Sequence, residues 1–595
     1  MPDYTPPVRD IQFVLHEVLK AEDLSALDGY EDVSADLLDQ IIEEGGKLCS
    51  EVLFPLNQSG DQEGCHYNDG VVTTPEGFKE AYKTFAEGGW CGVSGDPDFG
   101  GMGMPVLLGT VMQEMICSAN MSFGMYPGLS QGAYEALHHF GSDEQKAVYL
   151  PKLIEGVWSG TMCLTEPHCG TDLGLIKTKA VPNGDGAYKL TGTKIFISAG
   201  EHDLTENIVH LVLAKLPDAP DGVKGISLFV VPKFLPSGDG VGDRNGVRCG
   251  SIEHKMGIHA NSTCVINFDE AQAELVGAPH KGLRAMFTMM NAARLGVGMQ
   301  GLGIAEIAYQ NGLAYAKDRL QMRSLTGAKA PDKPADPIIV HPDVRRMLLK
   351  AKAFTEGARA LSYYAGMNLD IANKSTDPQE KLRADDLVAL LTPIIKAFQT
   401  DMGLEIAVDM QQVYGGHGYI AEWGMEQYVR DARIAQIYEG TNGIQALDLV
   451  GRKMSQSYGR LLRRFFHPAL QFVEDHQNDP DLAEFVLPFA KSLMKLQQAT
   501  AMIAQRGLKN PDEAGAASVD YLRQFALVAL GYMWCRMVKT ALEGKENNAG
   551  DAAFYDAKIA TAKFFMHRML PEADARFKMV MAGAGSIMEL DEAAF

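Results

Sequence analysis

The stretch GAYKLTGTKIFISAG, residues 186–200, decides the fold, because it is the first of four strand patterns in a chain that is otherwise helical in pattern. Its alternating residues are bounded by glycines, which is typical of a strand that ends in turns. Three similar runs follow it: NIVHLVLAKLP (207–217), KGISLFVVPKF (224–234) and STCVINFDEA (262–271). We therefore predict a small β domain over residues 161–278.

Helical patterns flank this β domain on both sides. Before it, SADLLDQIIEEGGKLCSEVL (34–53) offers Ser34 as an N-cap and repeats apolar residues at the spacing of one helix face. After it, the helical patterns are interrupted by GAKAPDKPADP (327–337), whose three prolines cannot continue a helix. The expected fold class is α+β, with an N-terminal helical domain (1–160), the middle β domain, a C-terminal helical bundle (279–454) and an additional helical domain (455–595).

The charge and the cysteines narrow the class of protein. The chain of 595 residues has 76 acidic and 54 basic residues and a net charge of −22, which repels nucleic-acid phosphates and anionic lipids. Its start, MPDYTPPVRDIQF, lacks the pattern of a signal peptide, and no uninterrupted apolar stretch reaches membrane-spanning length. Nine scattered cysteines without a C-x-x-C pair suit a reducing compartment, and no metal site is predicted. We expect a cytoplasmic protein that binds neither nucleic acid nor a membrane.

One motif in the second helical region is misleading. GVGMQG (296–301) has the G-x-G-x-x-G spacing of a nicotinamide-binding loop. That loop follows a β-strand, whereas the preceding AMFTMMNAARLG (285–296) is rich in methionine and alanine and is helical in pattern. We expect Gly296, Gly298 and Gly301 to allow close packing between helices instead.

Four short segments together carry a family resemblance. They are MCLTEPHCGTD (162–172), KIFISAG (194–200), QVYGGHGY (412–419) and IYEGTNGIQ (437–445). In this order they resemble the acyl-CoA dehydrogenase family of flavoenzymes, and the resemblance extends over residues 85–454. The N-terminal extension and the region after residue 455 resemble the long-form bacterial branch of that family. The resemblance implies FAD as cofactor and an acyl-CoA as substrate.

The same resemblance implies which residues bind FAD. Threonine hydroxyls, bare glycine backbone and an arginine fork suit a flavin edge and a diphosphate. The aromatic that covers the flavin is commonly Trp in the family, so Phe196 is a departure that retains stacking but loses the indole N–H. The matching positions are Leu164, Thr165, Gly170, Thr171, Phe196, Ser198, Arg319, Gln412, Gly415, Gly416, Thr441 and Gly443.

The resemblance also implies that Glu439 is the catalytic base. The family removes two hydrogens from the α and β carbons of an acyl thioester, so it requires a base for the α proton and FAD as hydride acceptor. In the main branch the base is the glutamate of Y-E-G-T, which is Glu439. Another branch carries its base at the position of Ala293, and alanine cannot accept a proton. The implied substrate contacts are Thr171, Asn291, Arg294, Tyr438 and Glu439.

The substrate and the electron acceptor remain open at this point. The long-form branch implies 3-methylthiopropanoyl-CoA, with a short- or medium-chain fatty acyl-CoA as the alternative. An electron-transfer flavoprotein is the expected acceptor, whereas an acyl-CoA oxidase would pass electrons to oxygen. A non-catalytic assembly protein on this fold need not retain Glu439, Thr165 and Arg319. A homodimer is expected, because in long-form relatives the added helices cover a surface that shorter members use to pair dimers.

Overall fold

The computed structural model describes residues 2–184, 186–547 and 552–595. The chain divides into two compact units, residues 1–43 with 297–595 and residues 44–296. Helices and one principal sheet follow each other in the predicted order, so the α+β class is confirmed.

The described α-helices and strands have the following bounds. The helices are α1 Val8–Gln12, α2 Ala35–Lys47, α3 Pro55–Glu63, α4 Phe78–Glu87, α5 Val106–Phe140, α6 Asp143–Glu155, α7 Gly282–Asp318, α8 Pro342–Lys374, α9 Pro378–Val413, α10 Met425–Ala435, α11 Asn442–Asp448, α12 Arg460–His476, α13 Ala483–Gly507, α14 Pro511–Glu546, α15 Ala552–Phe564, α16 Glu572–Ala582 and α17 Gly585–Met588. The strands are β1 His66–Asn68, β2 Val71–Thr73, β3 Trp158–Cys163, β4 Lys179–Pro182, β5 Tyr188–Ser198, β6 Asn207–Lys215, β7 Ile226–Pro232, β8 Phe234–Ser237, β9 Gly240–Arg244, β10 Val247–Ile252 and β11 Thr263–Val276.

The unit of residues 44–296 is built around a sheet that has seven strands in the described part of the chain. The order is β10-β11-β5-β4-β6-β3, and β7 pairs with both β11 and β6, so the pairings of β11, β5, β4, β6 and β7 form a closed ring. One apolar cluster contains Leu190 and Phe229 from the strands. A second cluster joins Leu211 of β6 to Leu137 of α5 and Tyr149 of α6. Because both faces of β6 are covered, its sequence NIVHLVLAK is nearly continuously apolar.

The start of the β region differs from the prediction in two places. Strand β3 begins at Trp158, three residues before the predicted boundary at residue 161. The prediction missed these residues because the run WSGTMC lacks the alternation that marks a half-buried strand. A hairpin of β1 and β2 also lies inside the predicted N-terminal helical domain. Its turn is Asp69-Gly70, both with positive φ (44° and 90°), which is the signature of a two-residue hairpin loop. That signal was present in the sequence and was missed.

The N-terminal extension does not belong to the compact unit that contains the rest of the predicted N-terminal domain. Residues 1–43 belong to the unit formed with 297–595. The Tyr30 hydroxyl donates to Asp370 Oδ1 at 2.7 Å, and Ile11 is fully buried. The predicted N-terminal domain of residues 1–160 is therefore not one packed body, because the apolar face of its first residues is buried among the later helices.

The glycines of the misleading motif lie inside α7, as predicted. A Cβ at Gly301 would come within 2.3 Å of the Gln399 carbonyl oxygen, and one at Gly298 within 2.7 Å of an Ile395 methyl group. Close packing is thus confirmed for these two glycines. It is wrong for Gly296, where the nearest atom to an added Cβ is 3.9 Å away.

The region after residue 455 shares a core with α8 and α9. The Trp534 indole of α14 is fully buried and donates to the Ala353 carbonyl of α8 at 3.1 Å. Among the described residues, α9 and α14 are by length and composition apolar enough to cross a membrane, although charged residues interrupt both helices. Most of each apolar window is buried in the unit, as in a core helix of a soluble protein.

Candidate active site

The segment TEPHCGTD forms a tight turn where β3 ends. The backbone N–H groups of Glu166 and Cys169 donate to each other's carbonyl oxygens, at 2.9 and 3.0 Å. Leu164 is buried and Thr165 half-buried, whereas Gly170 and Thr171 are exposed. The turn therefore presents a hydroxyl and small residues at an accessible surface, as a flavin edge and a phosphate require.

A buried ion pair holds this turn from the sheet side. Lys194 is fully buried, and its Nζ donates to the Leu164 carbonyl and to Glu166 Oε1, each at 2.9 Å. Glu166 also accepts a hydrogen bond of 2.7 Å from the Thr178 hydroxyl. The network therefore holds Leu164 and Glu166, the two residues that flank Thr165. In the sequence, a lysine within a strand pattern was the available sign of this network.

The charges of this pair follow from its surroundings. Burial raises the pKa of the Glu166 carboxyl, but Lys194 and the hydrogen bonds outweigh that effect, so the pKa lies below its usual value. Burial lowers the pKa of the Lys194 ammonium, and Glu166 opposes this shift. The donor atoms of Glu166, His168 and Cys169 lie within 4.8 Å of one another. This set does not fit a cation, because the Lys194 ammonium already occupies the Glu166 carboxylate.

Phe196 lies at a bulge in β5. Ile197 pairs with Cys264 and Lys194 with Ile266, so Ile195 and Phe196 together oppose one residue of β11. Phe196 has a φ of 59° and is 59% exposed, because the bulge turns its ring away from the core. The Ile195 N–H donates to the Thr165 carbonyl at 2.9 Å. The bulge thus brings the aromatic residue and the TEPHCGTD turn together, with half-buried Ser198 two residues further along.

Two predicted substrate contacts lie one turn apart on α7. Arg294 Nη1 donates to Asn291 Oδ1 at 3.3 Å. Arg294 is 7% exposed, whereas Asn291 is exposed. The structure therefore brings these two residues together and leaves Asn291 accessible.

The predicted adenine and diphosphate contacts lie in the unit of residues 1–43 and 297–595. Arg319 is exposed and directly follows α7, and Gln412 is exposed in the last turn of α9. The Tyr315 hydroxyl, one turn before Arg319, forms a hydrogen bond of 2.8 Å with His417 Nδ1. Tyr315 also stacks on Tyr414, with ring centroids 4.1 Å apart. These contacts fix the end of α7 to the turn that contains Gly415 and Gly416.

Three glycines of this unit leave bare, accessible backbone. No described atom lies within 4 Å of the position that a Cβ would take at Gly415, Gly416 or Gly443. Gly415 also has a φ of 59°, which favours glycine. Bare glycine backbone and an exposed arginine suit the adenosine diphosphate part of FAD.

Glu439 lies in a short turn between α10 and α11. It is half-buried and has a φ of 57°, and Gly440 follows with a φ of 77°. Gln445 Nε2 donates to the carbonyl oxygens of Glu439 and Gly440, at 3.2 and 3.0 Å. The Tyr438 hydroxyl donates to Gln300 Oε1 at 2.5 Å. The carboxylate is therefore carried by a fixed, strained turn that exposes Thr441 beside it.

Comparisons with known proteins identify the family of the chain. Four family models match successive parts of the chain. They are the acyl-CoA dehydrogenase N-terminal domain (55–157), middle domain (161–271) and C-terminal domain (280–454), and the acetyl-CoA dehydrogenase C-terminal-like domain (465–591). The chain is 44% identical to 3-methylmercaptopropionyl-CoA dehydrogenase of Ruegeria pomeroyi over 98% of this chain and 99% of that protein. It is 35% identical to a butyryl-CoA dehydrogenase of Syntrophomonas wolfei over 100% of this chain and 99% of that protein.

A solved structure agrees at the level of the fold. An acyl-CoA dehydrogenase of Bacillus anthracis, complexed with FAD, superposes with a TM-score of 0.75 at 22% identity, covering 94% of this chain and 90% of that chain. The sequence relatives span nearly the whole chain, and the predicted family resemblance is confirmed. The chain belongs to the acyl-CoA dehydrogenase family and is an oxidoreductase that acts on acyl-CoA thioesters.

Proposed function

We propose that the protein is an FAD-dependent dehydrogenase that introduces an α,β double bond into 3-methylthiopropanoyl-CoA, giving methylthioacryloyl-CoA. The observation that carries the proposal is the Glu439 turn, in which the half-buried Glu439 has a left-handed backbone beside exposed Thr441. Such strain persists where the surroundings determine it, and it concentrates at functional sites.

The residues have distinct tasks in this reaction. Glu439 accepts the α proton, and the electron pair of the broken C–H bond forms the double bond as the β hydrogen leaves with its own pair. FAD, when bound, supplies the acceptor for that hydride. The Glu439 backbone N–H polarises the thioester oxygen as negative charge develops on it. Desolvation by the acyl-CoA raises the basicity of the Glu439 carboxylate and favours proton transfer.

The chain has a suitable set of residues to hold FAD. The bulge at Phe196 offers an exposed aromatic ring, and the adjacent turn offers the Thr165 and Thr171 hydroxyls. In the other unit, Arg319 matches the family arginine that reaches the cofactor diphosphate of a neighbouring subunit, and Gly415 and Gly416 supply open backbone. Asn291 and Tyr438 remain proposed substrate contacts.

Similarity to the Ruegeria pomeroyi protein supports the specific substrate, because it extends over 98% of this chain at 44% identity. A short-chain fatty acyl-CoA is the second candidate, and the similarity to a butyryl-CoA dehydrogenase favours it. An electron-transfer flavoprotein as acceptor, a homodimer and a cytoplasmic location are proposals that rest on the family resemblance and on the sequence composition.

The test is anaerobic reduction of the FAD-loaded protein by a panel of acyl-CoAs. 3-Methylthiopropanoyl-CoA and pentanoyl-CoA are a matched pair, since they have the same length and differ by sulfur in place of a methylene group. Butanoyl-CoA and palmitoyl-CoA complete the panel. We expect the flavin absorbance to bleach fastest with 3-methylthiopropanoyl-CoA.

The other outcomes separate the alternatives. Equal bleaching by pentanoyl-CoA would favour a short-chain fatty acyl-CoA dehydrogenase, and a preference for palmitoyl-CoA would contradict both candidates. Oxygen consumption without an added acceptor would identify an oxidase. A folded, FAD-loaded protein that no acyl-CoA reduces would end the catalytic proposal.

A further inference from the structure

A buried lysine lies directly beneath the Glu439 turn. Lys396 on α9 is 0% exposed, and its Nζ donates to the Gly440 carbonyl at 3.0 Å and to Asn442 Oδ1 at 2.9 Å. The side-chain amide of Gln445 donates to the same Gly440 carbonyl at 3.0 Å. A cationic donor and an amide donor thus converge on the oxygen of the residue that follows Glu439.

The same face of α9 fixes both ends of the turn. Asn442 Nδ2 donates to Asp401 Oδ1 at 2.7 Å and to Thr400 Oγ1 at 2.9 Å. On the other side, Gln436 Nε2 donates to Asp401 Oδ1 at 2.6 Å. Residues 436–442 are therefore bound to one helix at their beginning, their middle and their end.

This arrangement determines where the Glu439 carboxylate points. Two successive left-handed residues are stable here because their carbonyl oxygens meet buried donors. Without the donors, rotation of the peptide between Glu439 and Gly440 would relax the turn and move the carboxylate. A displacement of about 1 Å at a reacting group lowers rates by about 100-fold.

We propose that Lys396 is a positioning residue for the dehydrogenation, because its buried ammonium, together with the Gln445 amide, fixes the left-handed turn that carries Glu439. This inference rests on the proposed function of Glu439 as the base. Lys396 does not take part in proton transfer. It determines the position from which Glu439 does so.

The test compares Lys396→Met with Gln445→Leu in the FAD-loaded, full-length protein. Lys539→Met is the control, because Lys539 lies on α14 of the same unit and pairs with Glu543 instead of contacting the turn. Flavin reduction by 3-methylthiopropanoyl-CoA and by butanoyl-CoA is measured anaerobically over a range of concentrations. Amide hydrogen exchange of residues 437–445 is measured without substrate.

We expect Lys396→Met to lower the limiting reduction rate by about 10–100-fold while the half-saturating acyl-CoA concentration changes by less than about threefold. Exchange in residues 437–442 should accelerate by at least about tenfold, with FAD content unchanged. Gln445→Leu should act in the same direction, and it decides the question if Lys396→Met does not fold. Lys539→Met should leave the rate and the exchange of this segment as in the wild type.

Wild-type exchange in residues 437–442 of either folded turn variant would overturn the inference, as would an unchanged reduction rate. The proposed function fails by a different result, namely wild-type bleaching of Glu439→Gln or no bleaching of the wild type by any acyl-CoA. In that case the exchange measurement still decides whether Lys396 fixes the turn.

Discussion

Glu439 and Phe196 have left-handed backbones, with φ of 57° and 59°. For a residue with a side chain this conformation costs about 1–2 kcal/mol. The two residues are stabilised in different ways, since a bulge against β11 holds Phe196 and buried donors from Lys396 and Gln445 hold Glu439. Backbone strain is therefore present at two positions on which the proposed reaction depends.

The first prediction concerns Glu439→Gln. The amide retains the shape of the side chain but cannot accept the α proton, so flavin reduction by the best acyl-CoA should slow by at least roughly 1,000-fold. FAD content should stay normal, because the backbone of the turn is unchanged. Anaerobic mixing should perturb the flavin spectrum without bleaching it. Glu543→Gln, at an exposed position on α14, is the control and should bleach as the wild type does.

At this scale the sequence allowed the identity of the candidate residues to be predicted, but not the contacts that place them. The Y-E-G-T motif identified Glu439, and KIFISAG contained both Phe196 and Lys194. Lys396 lies 43 residues before Glu439 within PIIKAFQ, where a lysine gives no local sign of its partner. Contacts between residues so far apart follow from tertiary packing, which a single sequence does not show.

Among the elements, α7 and α9 show how a glycine sets the distance between two helices. A Cβ at Gly301 would lie 2.3 Å from the Gln399 carbonyl oxygen, and one at Gly403 would lie 2.5 Å from the Gly301 carbonyl oxygen. The backbones are therefore in direct contact. Since α9 also carries Lys396, this contact helps to position the helix that supports the Glu439 turn.

The second prediction is that Gly301→Ala destabilises the protein. The added methyl group must push the α9 backbone aside, at a cost of about 1–3 kcal/mol, which exceeds the gain of about 1 kcal/mol in helix propensity. Gly515→Ala on α14 is the matched control, because an added Cβ there has no described atom within 4 Å, and it should stabilise slightly. Thermal unfolding of the FAD-loaded variants compares them. A melting temperature of Gly301→Ala at or above that of the wild type would contradict the packing argument.

For the elements, periodicity predicted the order of helices and strands, and residue context correctly excluded a nicotinamide-binding loop at 296–301. Periodicity failed where strands are short or lack alternation, as in β1, β2 and β3. A three-residue strand has too few residues to establish a period, so turn chemistry at Asp69-Gly70 was the only usable signal.

On the scale of the whole chain, its two ends meet in one buried charge cluster. Lys558 of α15 pairs with Asp10 of α1 and, at 2.9 Å, with Glu356 of α8. Arg359 of α8 pairs with Glu306 of α7 at 2.9 Å. Asp10 and Lys558 are 548 residues apart in sequence, so their pairing could not be predicted from local patterns. The division into two units, with residues 1–43 in the larger one, was unpredictable for the same reason.

The last prediction follows from this cluster. Lys558→Met leaves the Asp10 and Glu356 carboxylates without their shared ammonium, and breaking a buried pair in this way costs about 3–5 kcal/mol. The melting temperature of the variant should therefore fall clearly at neutral pH. Lys539→Met, which removes an exposed ion pair on α14, should change it little.

The dependence on pH distinguishes this charge effect from a packing defect. Burial raises the pKa of Asp10, but Lys558, Arg359 and Lys352 outweigh it and lower the pKa from 3.8 to about 2. Because the folded-state value is the lower one, the stabilisation from Asp10 is fully present above about pH 4 and is lost as pH falls towards about 2. In Lys558→Met the buried Asp10 carboxyl has lost the ammonium that most lowers its pKa, so it takes up a proton at a higher pH than in the wild type. The difference in melting temperature between wild type and Lys558→Met should thus narrow progressively as pH falls from 7 to about 3. A difference that stays constant to about pH 3 would show that lost packing, and not lost charge pairing, destabilises the variant.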